Sequence, residues 1–564
     1  MAFQLSPGVL VTEKDLSLLV PSISTTAGGF SGAFQWGPAN QVTTIDSEAE
    51  LVTTFGKPND NTFNSFFTAA NFLSYGNNLQ IVRSVNKATV VNAVANTSAQ
   101  AATAVLVEND DDYIANHYTG SGNANFFARY PGVLGNSLQV SLCDANTFTS
   151  WTYKTQFDDA PNTSPYVNSV GGSNDELHLV VVDEDGLWTG TKGTILEKYA
   201  FLSKASDAKL ADGTSNYYKK VLEERSQYIL WASHTSNVVG TSNWGSTSVT
   251  AFANTTNVAN VTASFSGATD AENATEGNIQ TSYDFFANDE LIDVSLLPMG
   301  AVSATTVSYV INNIAEVRRD CIVFASPNSA NVINNVGSEA SAVVNFRNNL
   351  PSTSFAVLDS GWKYQYDRYN DVYRYVPLSG DTAGCAVRTD FVADPWFSPA
   401  GFNRGQIKNV VKLAFSPGRT DRDTLYKKGI NPVVTFPGNG TVLFGDKTLL
   451  AKPSAFDRIN VRRLFIVLEK SIATAAKFQL FEFNDAFTQA QFRNLVEPFL
   501  RDVQGRRGIT DFKVVCDETN NTGEVVDRNE FVADIFIKPA RAINFIQLNF
   551  VATRTGISFE EVGV

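Results

Sequence analysis

The sequence predicts an α+β protein built in several domains. Three observations carry this. At 564 residues the chain is too long for one core, since domains run to roughly 100–200 residues. Strand and helix signals alternate in residues 286–384 and again through the last third. Between them, from about 88 to 285, Ser, Thr, Asn, Gly and Ala dominate and the strand signals are short.

Taken in order, residues 7–12 predict an apolar strand after Pro7-Gly8, followed by the polar Glu13-Lys-Asp15. A strand so near a chain end has no hairpin partner and must pair with a distant strand or another molecule. Residues 28–40 are rich in Gly and small side chains. A helix with an acidic first turn is predicted over Asp46–Phe55, and another over Asn61–Phe72 with Phe63, Phe66, Phe67 and Phe72. In 88–285 acids outnumber bases about two to one. There Leu177–Val182 reads as a strand, and Asp183-Glu-Asp-Gly186 before Leu187-Trp188 as a hairpin turn. This region is read as one or two β-rich domains inserted into a middle domain and exposed at its surface.

Order returns with a strand predicted over Asp289–Leu297 and a helix over Thr305–Arg319 that puts Val307, Val310, Ile311 and Ile314 on one face. A buried-type strand at Cys321–Ala325 completes an α/β unit. Tyr364, Tyr366, Tyr369, Tyr373 and Tyr375, turning near Asn370-Asp371, predict a hairpin with one aromatic face. Two helices follow. Val461–Ala476 has the stripe Val461, Leu464, Phe465, Leu468 and Ile472; Asp485–Val503 turns Phe492, Leu495, Val496, Phe499 and Leu500 inward. Strands are predicted at Phe512–Cys516 and Phe531–Ile537. Beyond Pro539, Ile546, Leu548, Phe550 and Ala552 alternate with polar neighbours, the pattern of a half-buried strand.

The chemistry-bearing motifs are mostly missing. The net charge is −14, but from Cys385 onward there are 24 Lys+Arg against 20 Asp+Glu, so the acidity lies in residues 1–384. An acidic body opposes nucleic-acid binding, and the mildly basic remainder suits an acidic protein partner. Cys143, Cys321, Cys385 and Cys516 are too far apart for a zinc knuckle or a small disulfide scaffold. No signal peptide and no 18-residue apolar run are visible, so export and membrane insertion are not expected. There is no P-loop, and Gly29-Phe-Ser-Gly-Ala33 ends in Ala where a nucleophile elbow wants Gly. His117, His178 and His234 all lie in the variable region. The acid clusters Glu108-Asn-Asp-Asp-Asp112 and Asp183-Glu-Asp-Gly186 lack the ligand spacing of a Ca²⁺ loop. No catalytic, cofactor or metal residue is assigned. The pairs Arg318-Arg319, Arg462-Arg463 and Arg506-Arg507 suit bidentate ion pairs between subunits, with a solvated helix face as the alternative.

One ordered set of segments stands out. It runs Asp390-Phe-Val-Ala-Asp-Pro-Trp-Phe-Ser-Pro-Ala-Gly401, Gly429-Ile-Asn-Pro432, Gly440-Thr-Val-Leu-Phe-Gly-Asp-Lys-Thr-Leu449, Arg458-Ile-Asn-Val-Arg-Arg-Leu-Phe465 and Phe545-Ile-Gln-Leu-Asn-Phe-Val-Ala-Thr553. Together with Leu5-Ser-Pro-Gly-Val-Leu-Val-Thr-Glu13, it resembles the contractile phage tail sheath proteins, closest to those of large T4-like phages. Phe397 precedes Ser398-Pro399 where many relatives carry a basic residue before Ala-Pro, and 88–285 hardly matches.

The resemblance implies a structural subunit, not an enzyme. Such subunits polymerise as stacked hexameric rings around a tail tube, and contraction drives the tube through the host envelope. Implied domains are an inner α/β-type core of 1–25 and 385–564, a middle domain of 26–87 and 286–384, and the inserted domain of 88–285. Implied partners are further copies of the chain, the tail tube protein, and the baseplate and tail terminator proteins, with no cofactor and no nucleic acid. The place is the virion, after assembly in the host bacterial cytoplasm. Pro7, Gly8, Val9, Leu10 and Val11, and Phe545, Ile546, Gln547, Leu548, Asn549, Phe550, Val551 and Ala552, would be the arms linking subunits. Arg458, Arg462 and Arg463 are candidate interface charges. The sheath of a phage-derived injection device, or a secreted β-rich glycan-active enzyme or adhesin, are the other readings.

Overall fold

The strand Gly28–Gly32 lies inside the largest sheet with all five residues buried. Its glycines are required by space. A β-carbon on Gly28 would lie 2.6 Å from the Phe72 ring, and one on Gly29 2.9 Å from the Leu297 side chain. The structure, a computed structural model, describes residues 25–96, 103–120, 124–234, 243–254, 261–269, 272, 274–544 and 546–548. These fall into two units, one of 25–395 with 399–462 and one of 396–398 with 463–548.

In the first unit, Leu79–Arg83 and Leu296–Pro298 flank the glycine strand in parallel. Ile322–Ala325, Ala356–Asp359 and Ile430–Asn431 extend the sheet, again in parallel, and Val42–Ile45 closes the opposite edge antiparallel. Ile322–Ala325 and Ala356–Asp359 are buried at every position, as a parallel sheet covered on both faces demands. The helix Glu48–Phe55 starts where the Ser47 side chain accepts from the Glu50 amide. The helix Phe63–Leu73 packs against Ser379–Val392, and a β-carbon on Gly380 would sit 2.3 Å from the Thr68 carbonyl oxygen.

The helix expected over 305–319 runs from Ala304 to Arg318 with a π turn at Ile311–Ala315. It buries Val307, Val310, Ile311 and Ile314 against the sheet. The strand expected over Asp289–Leu297 forms only at Leu296–Pro298. Asn288 Oδ1 accepts from the amides of Glu290 and Leu291 and holds the preceding residues in a turn. The tyrosine hairpin pairs Trp362–Asp367 with Val372–Pro377, and Tyr364, Tyr366, Tyr373 and Tyr375 stack on one face. Tyr369 leaves that face for Phe66 and Glu48.

Leu79–Arg83 connects to Leu296–Pro298 through the helix Glu276–Tyr283, a βαβ crossover interrupted by residues 84–275. Those residues carry an antiparallel sheet in the order Val261–Ser264, Leu138–Cys143, Glu176–Asp183, Thr194–Ser203. A three-stranded sheet of Val94–Ala95, Phe126–Ala128 and Ile229–Trp231 accompanies it. The buried Arg83 guanidinium donates to the carbonyls of Phe34, Gln35, Gly37 and Pro131, tying this region to the sheet.

Asp183 organises the hairpin turn. Its carboxylate accepts from Ser137 Oγ at 2.7 Å and from the amides of Gly186, Trp188 and Thr189 at 2.8–3.0 Å. Burial pushes its pKa up, but hydrogen bonds from Thr189, Ser137 and Trp188 outweigh that and hold it below the usual carboxylate range.

Candidate functional site

The second unit is the smaller of the two. Its helix Ala486–Gly505 begins at Asp485, whose side chain accepts from the Thr488 amide, and contains Pro498, which removes one backbone donor. Phe492, Val496, Leu500 and Val503 pack against Leu464, Val467, Leu468 and Ile472 of the helix Ile459–Ala476, with Val467 and Val503 added to the stripes that the sequence spacing picked out. Under them lies a two-stranded antiparallel sheet of Ile509–Val515 and Asp534–Pro539, with Phe512 opposite Ile537 and Val515 opposite Asp534. Ile535 and Ile537 face the helices, while Asp534, Phe536 and Lys538 face out.

Among the described residues neither strand pairs with a further strand. Two strands alone are marginal, and such edges are templates for added strands.

The expected arms are placed only in part. Pro7, Gly8, Val9, Leu10 and Val11, and Phe545, Asn549, Phe550, Val551 and Ala552, lie outside the described residues. Ile546, Gln547 and Leu548 are exposed and in no strand.

The arginines singled out in sequence sit deeper than a surface charge. Arg458 pairs with Asp446 and Asp457 of its own chain at 3.7 and 3.6 Å. Arg462 is buried, its guanidinium 4.4 Å from the Phe355 ring and 4.7 Å from that of Phe456, and Arg463 is buried as well. Arg318 holds Asp320 bidentately at 2.8 and 2.9 Å, also within the chain. Sequence spacing could not foresee the Phe355 ring, which lies more than a hundred residues away, although Phe456 is a near neighbour in sequence.

The candidate catalytic groups are committed elsewhere. Ser31 lies buried in the glycine strand, not on an exposed elbow. His178 Nε2 donates to the Asp159 carbonyl while Nδ1 accepts from the Phe201 amide, which leaves a neutral ring with no free nitrogen. The four cysteines are buried and none is in a disulfide. Among the described residues no helix is long and apolar enough to cross a membrane.

Three family descriptions match the chain. "Tail sheath protein Gp18 domain III N-terminal region" covers 27–83, "Phage tail sheath protein central domain" 266–449, and "Phage tail sheath C-terminal domain" 451–553. The tail sheath protein of Vibrio phage KVP40 is 35% identical over 99% of both chains, and that of Enterobacteria phage T4 33% identical over the same shares. The chain belongs to the phage tail sheath family.

Solved relatives of the sheath fold agree with the architecture. The sheath tail protein of Listeria innocua superposes with a TM-score of 0.53 at 11% identity, over 91% of this chain and 94% of that one. That of Desulfitobacterium hafniense gives 0.51 at 12% identity, over 94% of this chain and all of the other. The three family matches leave residues 84–265 between them, within the part of the sheath chain that interrupts the βαβ crossover.

Proposed function

We propose that the chain is the structural subunit of a contractile phage tail sheath and has no enzymatic role. It assembles as stacked hexameric rings around the tail tube, bounded by the baseplate and the tail terminator. Contraction then drives the tube through the host envelope. The observation that carries this reading is the two-stranded sheet of Ile509–Val515 and Asp534–Pro539, open at both edges among the described residues. It lies in the segment matching the tail sheath C-terminal domain.

Strand addition at those edges by Pro7–Val11 and Phe545–Ala552 of neighbouring subunits supplies main-chain hydrogen bonds while alternate side chains enter the helix-covered face. An eight-residue strand spans roughly 26 Å, enough to reach an adjacent subunit. In this arrangement 1–25 and 385–564 form the inner layer, 26–87 and 286–384 the middle, and 88–285 the exposed outer region. Work comes from exchange of interfaces between a kinetically trapped extended state and a more stable contracted one. The protein resides in the virion after assembly in the bacterial cytoplasm, and genome neighbours separate a phage from a phage-derived injection particle.

Negative-stain microscopy of the full chain beside a variant ending at Ala542 tests the proposal. Striated hollow tubes from the full chain, absent from the truncated one, are expected. Monodisperse globular particles from both, across salt and concentration, would refute it.

A further inference from the structure

The connection between the two long helices, with the first turn of the second, carries an exposed run of large apolar side chains. Within 478–487, Phe478 is 68% exposed, Leu480 63%, Phe481 103%, Phe483 86% and Phe487 74%. At roughly 200 Å² per large side chain, the five present on the order of 800 Å² of apolar surface to solvent. A monomer's largest apolar patch is usually about 300–600 Å². One side of a standard protein interface is about 800 Å². The exposed apolar surface is therefore that of an interface half.

Two features show that the loop is built to hold these rings outward. Phe481 has φ of +72°, a left-handed conformation that suits glycine and is strained for a residue with a β-carbon. Its side chain is fully exposed and so gains no burial to offset that strain. Secondly, Asn484 fixes the loop from below. Its Nδ2 donates to the Glu530 carbonyl at 2.8 Å, its Oδ1 accepts from Gln489 Nε2 at 2.9 Å, and Asp485 then caps the following helix. Glu530 leads into Asp534–Pro539, so the loop is tied to the sheet whose open edge is the proposed arm acceptor. Phe536 on that strand is exposed as well.

We propose that Phe478, Leu480, Phe481, Phe483 and Phe487 form a subunit contact seated on a second copy of this chain in the assembled sheath, distinct from the arm linkage. This rests on the sheath reading above. The occupant is argued from area and continuity: the patch matches one interface half and is hydrogen-bonded to the element proposed to join subunits. A homopolymer buries such a patch on itself in every repeat.

The test compares the full chain with Phe481→Ser/Phe483→Ser, and Phe481→Gly serves as a control that relieves the strained backbone. Because both rings are exposed in the subunit, circular dichroism and thermal unfolding of the double variant are expected to match the parent. The critical concentration for tube formation is expected to rise by about a hundredfold or more, the loss of two buried rings.

Tubes formed at the parent's critical concentration would overturn the contact while leaving the sheath reading intact. Tubes that form normally alone but fail to load on a purified tail tube would overturn it too, assigning the patch to the tube. If even the parent forms no tubes, the sheath reading fails and sedimentation velocity decides the contact. Self-association of the parent, absent in the double variant, supports it; two monomers overturn it.

Discussion

Lys363 and Asp381 form an ion pair with no exposure on either side, and replacing the lysine alone should be among the most damaging single changes in the chain. Lys363 Nζ lies 2.8 and 2.9 Å from the two Asp381 oxygens and donates to the Lys408 carbonyl at 2.9 Å. Asp381 is otherwise held by the Tyr75 hydroxyl at 3.1 Å. In Lys363→Met the carboxylate keeps only that phenol, and an uncompensated buried charge costs about 3–5 kcal/mol. That is a large share of the roughly 5–15 kcal/mol that holds a domain folded. Replacing both partners, Lys363→Met/Asp381→Leu, removes both desolvated charges and should return most of the loss, giving a coupling of about 2–3 kcal/mol or more. Urea unfolding of the unassembled subunit measures the total, and hydrogen exchange of the Trp362–Asp367 amides reads the same opening locally. A loss below about 1 kcal/mol in the single variant, or a double variant no better than the single, would refute the reasoning.

Asp359 supplies a pH dependence. Burial raises its pKa to about 8, with hydrogen bonds from Ser326 and Gly361 opposing, so the folded state holds a proton that the unfolded chain releases near pH 4. Its contribution is fully present below about pH 4 and is lost as pH rises to about 8, at up to about 1.4 kcal/mol per unit. Asp359→Asn, followed by urea midpoints from pH 5 to 8, should flatten that slope. Arg83→Lys keeps the charge but cannot reach four carbonyls in a fork. A loss of about 2–3 kcal/mol is expected, with faster exchange at residues 34–37. Gly380→Ala drives a methyl group into the Thr68 carbonyl and should cost about 1–3 kcal/mol in a thermal melt, because backbone cannot step aside as a side chain can.

Elements with a strong period were legible in the sequence. The helices Ile459–Ala476 and Ala486–Gly505 and the strands Glu176–Asp183 and Ile322–Ala325 all formed where apolar spacing put them, whereas the strand after Asp183 resumes only at Thr194, beyond Leu187-Trp188. Local signals failed where tertiary packing decides. Gly28–Gly32 has poor strand propensity, yet it is an inner strand because Phe72 and Leu297 leave no room for side chains. A strand over 289–295 was blocked by the Asn288 turn. The candidate surface was less legible. Arg462 looked like a surface charge because its aromatic neighbours come from residues 355 and 456, and the Phe478–Phe487 run has no helical or strand period to announce it. The alternation at 546–552 reads in sequence as a strand, and the described residues 546–548 are exposed and in no strand.

The interrupted crossover has one further consequence. Residues 84–275 leave after Arg83 and return at the capped start of Glu276–Tyr283, the junction that an uninterrupted βα connection closes with about 2–6 residues. The parallel sheet therefore receives the whole region as one oversized loop, anchored by Arg83 and by hydrogen bonds between Ala39 and Glu108, Asn109 and Ala39, and Asn61 and Glu272. Such a joint accepts exchange of cargo: a foreign module with neighbouring termini can be spliced between residues 83 and 276, and each repeat of the polymer would then display one copy at a fixed spacing.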